Sequence, residues 1–229
     1  MVAAALAAMR RAVRPGVTTA ELDAVGGEVF RKAGARSGPQ LDYGFPGVNC
    51  ISVNDEAVHG IPGPRRLRDG DLVKLDVTAE LDGFYADACE SVPVGRVGPE
   101  TVRLADTARR ALADAMSTAR AGAPLNAIGG AVERTVTARG HAVCTDLVGH
   151  GIGRRIHEPP RVPNYYVARL SLPLTEGLVL TIEPIISAGS GAVRESGDGW
   201  TVRTADGALS AHAEHTIVIT SGEPVVLTA

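Results

Sequence analysis

The stretch that decides the fold is LVKLDVTAEL at residues 72–81, followed by DG at 82–83 and FYADACESVPV at 84–94. From Val73 to Val77, apolar side chains at every second position alternate with polar ones, which is the period of a strand. The Asp-Gly dipeptide that follows is typical of two-residue hairpin turns. The stretch therefore predicts an antiparallel hairpin.

A two-residue turn also predicts the register of this hairpin. Leu81 would face Phe84, so Asp76 would face Cys89, and Asp87 would lie on the same face as Asp76, displaced by two residues. Diagonal neighbours of this kind lie about 7–8 Å apart at Cα. Two bare carboxylates there repel each other unless a cation lies between them or one is protonated. On the hairpin alone, two solvent-facing aspartates are the commoner explanation.

The sequence on either side of the hairpin predicts helices, then strands. Expected helices cover 3–13, 18–32 (with a Thr18/Glu21 capping box and a stop at Gly34), 99–122 and 124–140; expected strands cover 49–53, 142–148, 178–186, 200–204 and 209–220, with a loop over 35–48 and an Asp206-Gly207 turn between the last two strands. This order indicates an α+β fold with an antiparallel sheet. Because no linker-like segment divides the sequence, we expect a single domain over residues 1–229.

Composition excludes several classes of function. The net charge is −3, and no cluster of basic residues suggests a nucleic-acid surface. No apolar stretch approaches the roughly 20 residues of a membrane helix. The cysteines, at 50, 89 and 144, are odd in number and widely spaced, so they predict no disulfide framework. We therefore expect a cytoplasmic protein that binds neither nucleic acid nor membrane.

Three further polar residues stand in apolar or glycine-rich surroundings. Glu183 interrupts LVLTIEP at 178–184, Glu214 precedes a strand-like run, and His150 lies in GHGIG at 149–153. With the two hairpin aspartates they form an oxygen-rich set suited to a pair of Mn, Fe, Co or Zn ions. Four carboxylates and a neutral imidazole carry a charge that matches two divalent cations.

The chain resembles the type 1 methionine aminopeptidases in eight segments that follow that family's order. They are PGVTTAEL at 15–22, CISVNDEAVHGIP at 50–62, DGDLVKLDV at 69–77, DGFYAD at 82–87, GHGIGR at 149–154, HEPP at 157–160, TIEP at 181–184 and AEHT at 213–216. Each segment alone is a weak signal, whereas together they span nearly the whole chain. The resemblance implies a pita-bread fold, in which a curved antiparallel sheet with pseudo-two-fold halves is covered by helices.

The resemblance also implies the metal ligands. Asp76 would bind one divalent ion, His150 and Glu183 the other, and Asp87 and Glu214 both. The ions would be two of Co, Mn, Fe or Zn. They would activate water for hydrolysis of the first peptide bond, with Glu183 moving the proton. The implied reaction removes the initiator methionine from nascent proteins and favours a small second residue.

Five residues are implied to bind the substrate. His59 would contact the amide at the scissile bond, and His157 would donate a hydrogen bond to the carbonyl oxygen or to the next peptide unit. Phe45, Cys50 and Trp200 would form the apolar pocket for the methionine side chain, since a thioether needs apolar, polarisable walls. Nascent polypeptide N-termini are the implied partner, with transient ribosome contact, and the family expectation is a monomer.

Two residues depart from the family pattern. Ile156 stands where an aromatic residue is usual and His212 where glutamine is usual. Both positions border the substrate, so they bear on side-chain selectivity and leave the five metal ligands in place.

Two other functions fit the same fold. A relative of prolidase or aminopeptidase P would cleave beside proline, but such proteins usually carry an additional N-terminal domain that 229 residues cannot hold. A non-catalytic binding protein is the alternative from another class, and such proteins typically lose metal ligands that this chain keeps.

Overall fold

The computed structural model describes residues 1–229 and contains five helices. They are α1 (Val2–Ala12), α2 (Thr19–Ala33), α3 (Gly38–Tyr43), α4 (Pro99–Met116) and α5 (Asn126–Ala138). The capping box predicted for α2 is present, and Gly34 ends that helix in the left-handed conformation with φ 70°. Helix α4 ends earlier than predicted, at Met116. None of the five is long and apolar enough to cross a membrane.

Fifteen strands complete the fold. They are β1 (Arg36–Ser37), β2 (Cys50–Val53), β3 (Glu56–Val58), β4 (Leu72–Leu81), β5 (Phe84–Pro93), β6 (Ala142–Val143), β7 (Val148–Gly151), β8 (Glu158–Pro163), β9 (Val179–Ile182), β10 (Ile185–Ser187), β11 (Val193–Glu195), β12 (Val202–Thr204), β13 (Ser210–His212), β14 (Glu214–Val218) and β15 (Val225–Val226).

The hairpin of β4 and β5 has the predicted register. Leu81 pairs with Phe84, Asp76 with Cys89, and Thr78 with Asp87. Asp76 and Asp87 therefore share a face, displaced by two positions.

The main sheet places strands that are distant in sequence next to one another. Its order is β1-β4-β5-β14-β9-β7-β8, with β2 added on β4 and β15 on β14. All its pairs are antiparallel, as the α+β prediction expects. Two three-stranded sheets, β13-β10-β6 and β11-β12-β3, lie beside it. The five adjacent strands from β4 to β7 carry or directly precede the five predicted metal ligands.

The helices cover the sheet in two pairs, which gives the molecule two halves. Helices α1 and α2 pack on each other, and α1 packs on β4 and β5. Their core includes Met9, Leu22, Phe30 and Leu75. Helices α4 and α5 form the second pair, over a separate core with β9 and β14. Burial of these apolar faces is the main stabilisation of both halves.

Several predictions about local structure were wrong. The predicted strand over 142–148 divides into β6 and β7, and the one over 209–220 into β13 and β14, and in each case the two parts join different sheets. The 35–48 segment is not all loop, because the Ser37 hydroxyl accepts from the Gln40 N–H and Pro39 occupies the first turn, which together start α3. The predicted 178–186 strand breaks at Glu183-Pro184, and its halves, β9 and β10, join different sheets. The chain does turn at Gly207, but β12 and β13 also lie in different sheets rather than in one hairpin.

Candidate active site

One cavity of about 350 Å³ opens on the face of the main sheet opposite α1. The ten residues predicted to bind metal or substrate all line it: Phe45, Cys50, His59, Asp76, Asp87, His150, His157, Glu183, Trp200 and Glu214. Thr78, Ile156 and His212 are also in its wall. The fold thus collects residues from both halves of the sequence around one space.

A compact group of potential metal-binding atoms lies in this wall. Ligand atoms of Asp87, His150 and Glu214 lie within 4.8 Å of one another, and all three residues are buried. Asp76 and Glu183 line the same cavity outside this tightest group. Glu183 Oε1 is 3.4 Å from His150 Nε2.

The four carboxyl groups of the cavity wall lie where their ionised forms are unfavourable. Burial raises the pKa of Asp76 and Glu214 well above the usual range, with further contributions from neighbouring carboxylates. Burial likewise raises the pKa of Asp87, and it raises that of Glu183 to about 8. A shift in this direction means that the ionised forms lack a compensating positive charge.

The donor set fits divalent cations. Asp87 Oδ1 is buried and has no hydrogen-bond partner, which is costly for a carboxylate unless a cation binds it. Burial lowers the pKa of His150, so its imidazole is neutral and able to donate a lone pair. Its Nδ1 lies 2.9 Å from the Gly151 carbonyl oxygen, the type of contact that orients a ligating histidine.

Two threonines that the sequence analysis did not single out fix the acidic residues. The Thr181 hydroxyl donates to Glu183 Oε1 at 2.8 Å and accepts from the His150 N–H at 3.1 Å. The Thr216 hydroxyl bonds the main chain of Asp87. Each threonine is two residues from a predicted glutamate ligand, so the period of a strand places it on the same face. That spacing was the signal that could have identified them.

The two histidines that are predicted to bind substrate reach the cavity from loops. His59 has a positive φ of 58°, a conformation that is uncommon for a residue with a side chain. The His157 ring lies against that of His150, with ring centroids 4.2 Å apart. Both histidines line the same cavity as the four carboxylates.

Part of the cavity wall is apolar. Phe45 and Trp200 meet edge to face with ring centroids 5.2 Å apart, and the buried residues Cys50 and Ile156 line the same cavity. Such a wall accepts an unbranched apolar side chain.

His212 is the most unusual residue of the cavity. Its ring is 2% exposed, and neither ring nitrogen has a hydrogen-bond partner. Nε2 lies 3.6 Å from Glu214 Oε2 and 4.0 Å from Glu183 Oε2. Burial lowers the pKa of His212 to about 3, so the ring is neutral. From the sequence alone, His212 is recognisable only as a departure from the family pattern.

This chain is similar in sequence and in fold to proteins of one known family. The model of metallopeptidase family M24 matches residues 1–221. The chain belongs to metallopeptidase family M24. An M24 protein of Bacillus subtilis named methionine aminopeptidase 2 is 43% identical over 230 residues, which cover 100% of this chain and 92% of that protein. The predicted resemblance to methionine aminopeptidases is thus confirmed, while the type 1 assignment stays a prediction.

Solved M24 structures have the same fold. The methionine aminopeptidase of Rickettsia prowazekii superimposes with a TM-score of 0.96 at 37% identity, covering 100% of this chain and 92% of that one. The prolidase of Pyrococcus horikoshii has a TM-score of 0.77 at 21% identity and covers 99% of this chain and 58% of that one, which shows a common fold alone. The expected α+β pita-bread fold and the expectation of a metal-dependent hydrolase are confirmed. The roles of individual residues remain predictions.

Proposed function

We propose that this M24 protein removes N-terminal methionine from nascent proteins and peptides by hydrolysing the first peptide bond with the help of two divalent metal ions, and that it favours a small second residue. The observation that carries the proposal is one cavity with an apolar wall beside an acidic, histidine-bearing wall. The confirmed resemblance to proteins named methionine aminopeptidase supports the same substrate.

The apolar wall would bind the methionine side chain. Phe45, Cys50 and Trp200 offer two aromatic rings and a polarisable sulfur, which suit a flexible thioether. Burial raises the pKa of the Cys50 thiol well above its usual range, so Cys50 contributes an uncharged surface to this pocket.

The acidic wall would hold the metal ions. Asp76, Asp87, His150, Glu183 and Glu214 are the residues that would bind them. When bound, such ions supply Lewis-acid activation of water and charge stabilisation at the peptide carbonyl. The particular metals, and the occupancy of two sites, are part of the proposal.

Glu183 is the residue that would carry the proton from the attacking water to the leaving amine. Its carboxyl group lies in the cavity wall, 3.4 Å from His150 Nε2, beside the place where the attacking water and the peptide would bind. The Thr181 hydroxyl holds one of its oxygens at 2.8 Å and so limits its rotation.

The two loop histidines would orient the peptide. His59 and His157 both line the cavity beside the acidic group, within reach of a substrate whose first side chain occupies the apolar wall. Hydrogen bonds from them to the scissile amide and carbonyl would favour the transition state if they shorten as charge develops.

The cytoplasm is the proposed setting, with nascent chains as substrate. All three cysteines are free and buried, as expected in a reducing compartment. We also propose that the protein is a monomer and that it contacts the ribosome transiently.

The test is to strip the protein of metal and to restore Mn, Co, Fe or Zn in separate assays. Release of the first residue is measured from Met-Ala-Ser and from Ala-Pro peptides. We expect metal-dependent release of methionine and no cleavage of Ala-Pro.

The other outcomes identify the alternatives. Metal-dependent cleavage of Ala-Pro alone would move the protein to the proline-specific branch of the fold. Cleavage of neither peptide by metal-loaded protein would contradict the enzymatic proposal and favour a binding protein.

A further inference from the structure

The C-terminal end of α3 contacts the cavity histidine His157 directly. The Tyr43 hydroxyl, on the last residue of α3, lies 2.5 Å from His157 Nδ1. The two rings are also in contact, with centroids 5.6 Å apart. The His157 ring also packs against His150, with ring centroids 4.2 Å apart. His157 therefore contacts both a tyrosine and a predicted metal ligand.

The residue before Tyr43 fixes the adjoining segments. The Asp42 carboxylate accepts from the Ile156 N–H at 3.2 Å and from the Tyr85 hydroxyl at 2.7 Å. Two consecutive residues of α3 thus bind two consecutive residues of the loop that carries His157. Tyr85 adds a tie to the β4-β5 hairpin. This arrangement limits how far the His157 loop can move relative to the cavity.

The direction of the Tyr43 hydrogen bond is linked to which ring nitrogen of His157 carries the proton. A neutral imidazole has one N–H donor and one acceptor nitrogen. Partial burial and the nearby Asp42 raise the pKa of Tyr43, so its hydroxyl keeps its proton and is able to donate it. If Nδ1 accepts this hydrogen bond, the ring proton lies on Nε2, at the other side of the ring.

We propose that Tyr43 is a positioning residue that holds His157 in the Nε2–H tautomer, so that Nε2 can donate a hydrogen bond to the carbonyl oxygen of the substrate. The role of that hydrogen bond rests on the proposed aminopeptidase function. The assignment of the tautomer does not rest on that function, because it is argued from the contact between the two side chains.

The first test is ¹⁵N NMR of histidine-labelled protein in the metal-free form. His157 is assigned by comparison with His157→Gln, and the wild type is compared with Tyr43→Phe. Tyr43 is 50% exposed and phenylalanine keeps its ring, so the variant should fold. We expect the Nε2–H tautomer in the wild type and a mixture of tautomers in the variant. The matched control is Tyr166→Phe, at an exposed tyrosine outside the cavity.

The second test is kinetic and uses the metal-loaded enzyme. Loss of a residue that orients a functional group typically costs roughly 10–100-fold, and we expect Tyr43→Phe to lower kcat for Met-Ala-Ser by that order with little change in KM. Tyr166→Phe should match the wild type. An unchanged His157 tautomer, or an unchanged kcat in an active enzyme, would overturn the proposal.

The two tests separate this inference from the proposed function. If wild-type protein released no methionine, the proposed function would fail, and the tautomer comparison would still decide whether Tyr43 controls the His157 ring.

Discussion

The hydroxyl of Thr216 bonds both main-chain polar groups of Asp87. It accepts from the Asp87 N–H at 2.9 Å and donates to the Asp87 carbonyl oxygen at 2.7 Å. The two residues are 129 positions apart in the sequence, and both are buried. This pair ties β5 to β14 where the acidic group lies. The position of the Asp87 carboxylate therefore depends on a residue that contributes no ligand atom.

We predict that Thr216→Val weakens both stability and metal binding. Valine keeps the shape but removes both hydrogen bonds, and each buried polar group left unpaired costs about 1–3 kcal/mol. Metal affinity should fall roughly 10–100-fold, as for other residues that orient ligands. Urea denaturation and calorimetric metal titration measure the two effects. Thr118→Val, which removes a hydroxyl from the turn that follows α4, should leave metal affinity unchanged; equal losses in the two variants would exclude a specific role for Thr216.

Asp87→Ala should abolish activity and metal loading together. Asp87 lies in the compact ligand group with His150 and Glu214, and one of its oxygens has no protein partner. Losing a direct ligand should cost more than the roughly 10–100-fold lost with an outer partner. Metal content after dialysis and release of methionine are the measurements, with the surface variant Asp106→Ala as the control. Retained activity in Asp87→Ala would refute the site assignment.

Metal binding should release protons, and its affinity should rise with pH. Burial raises the pKa of Glu183 to about 8 and raises those of Asp76 and Glu214 well above their usual range, so the ionised forms are disfavoured in metal-free protein. A cation binds the ionised form, so each such carboxyl must lose its proton first. Titration of Mn or Co in buffers of different ionisation enthalpy counts these protons. A titration enthalpy independent of the buffer would contradict the prediction.

Gly60→Ala should damage the enzyme, whereas Gly63→Ala should be tolerated. A Cβ on Gly60 would collide with the main chain of β2, lying 2.7 Å from Ser52 Cα, whereas one on Gly63 would have only the Ile61 oxygen at 3.9 Å. Such overpacking costs about 1–3 kcal/mol. Displacement of the adjacent His59 should lower kcat/KM by about 100-fold. Thermal unfolding and peptide kinetics test this, and equal behaviour of the two variants would show that the loop adapts.

Trp200→Ala should weaken recognition of methionine. The Trp200 ring meets Phe45 edge to face in the apolar wall. Its loss should remove about 1–2 kcal/mol, or roughly 5- to 30-fold in kcat/KM for Met-Ala-Ser. The matched control is Phe84→Ala, because the Phe84 ring lies at the surface with the Arg154 guanidinium over one face. If Trp200→Ala matched the wild type, the side-chain pocket would have to lie elsewhere.

The sequence by itself determined the elements whose causes are local. The β4-β5 hairpin has its predicted register because a two-residue turn fixes the pairing of the strands on either side. Helix α2 begins at the predicted capping box and ends at the predicted glycine, because both signals act on residues close to them in the sequence. The five predicted metal ligands were nominated by their sequence surroundings and by the family resemblance, and the five predicted substrate residues by the resemblance; the fold brings all ten to one cavity, and their roles stay predictions.

Only the tertiary structure decided how distant strands pair. The apparent single strand over 178–186 divides at Glu183 because its two halves join different sheets. Tyr43 and Thr216 each contact a residue more than 100 positions away in the sequence. His212 becomes buried only when the chain folds. Alternation along a strand says which side chains share a face but not which strand lies beside it, because that choice depends on burial summed over the whole sheet.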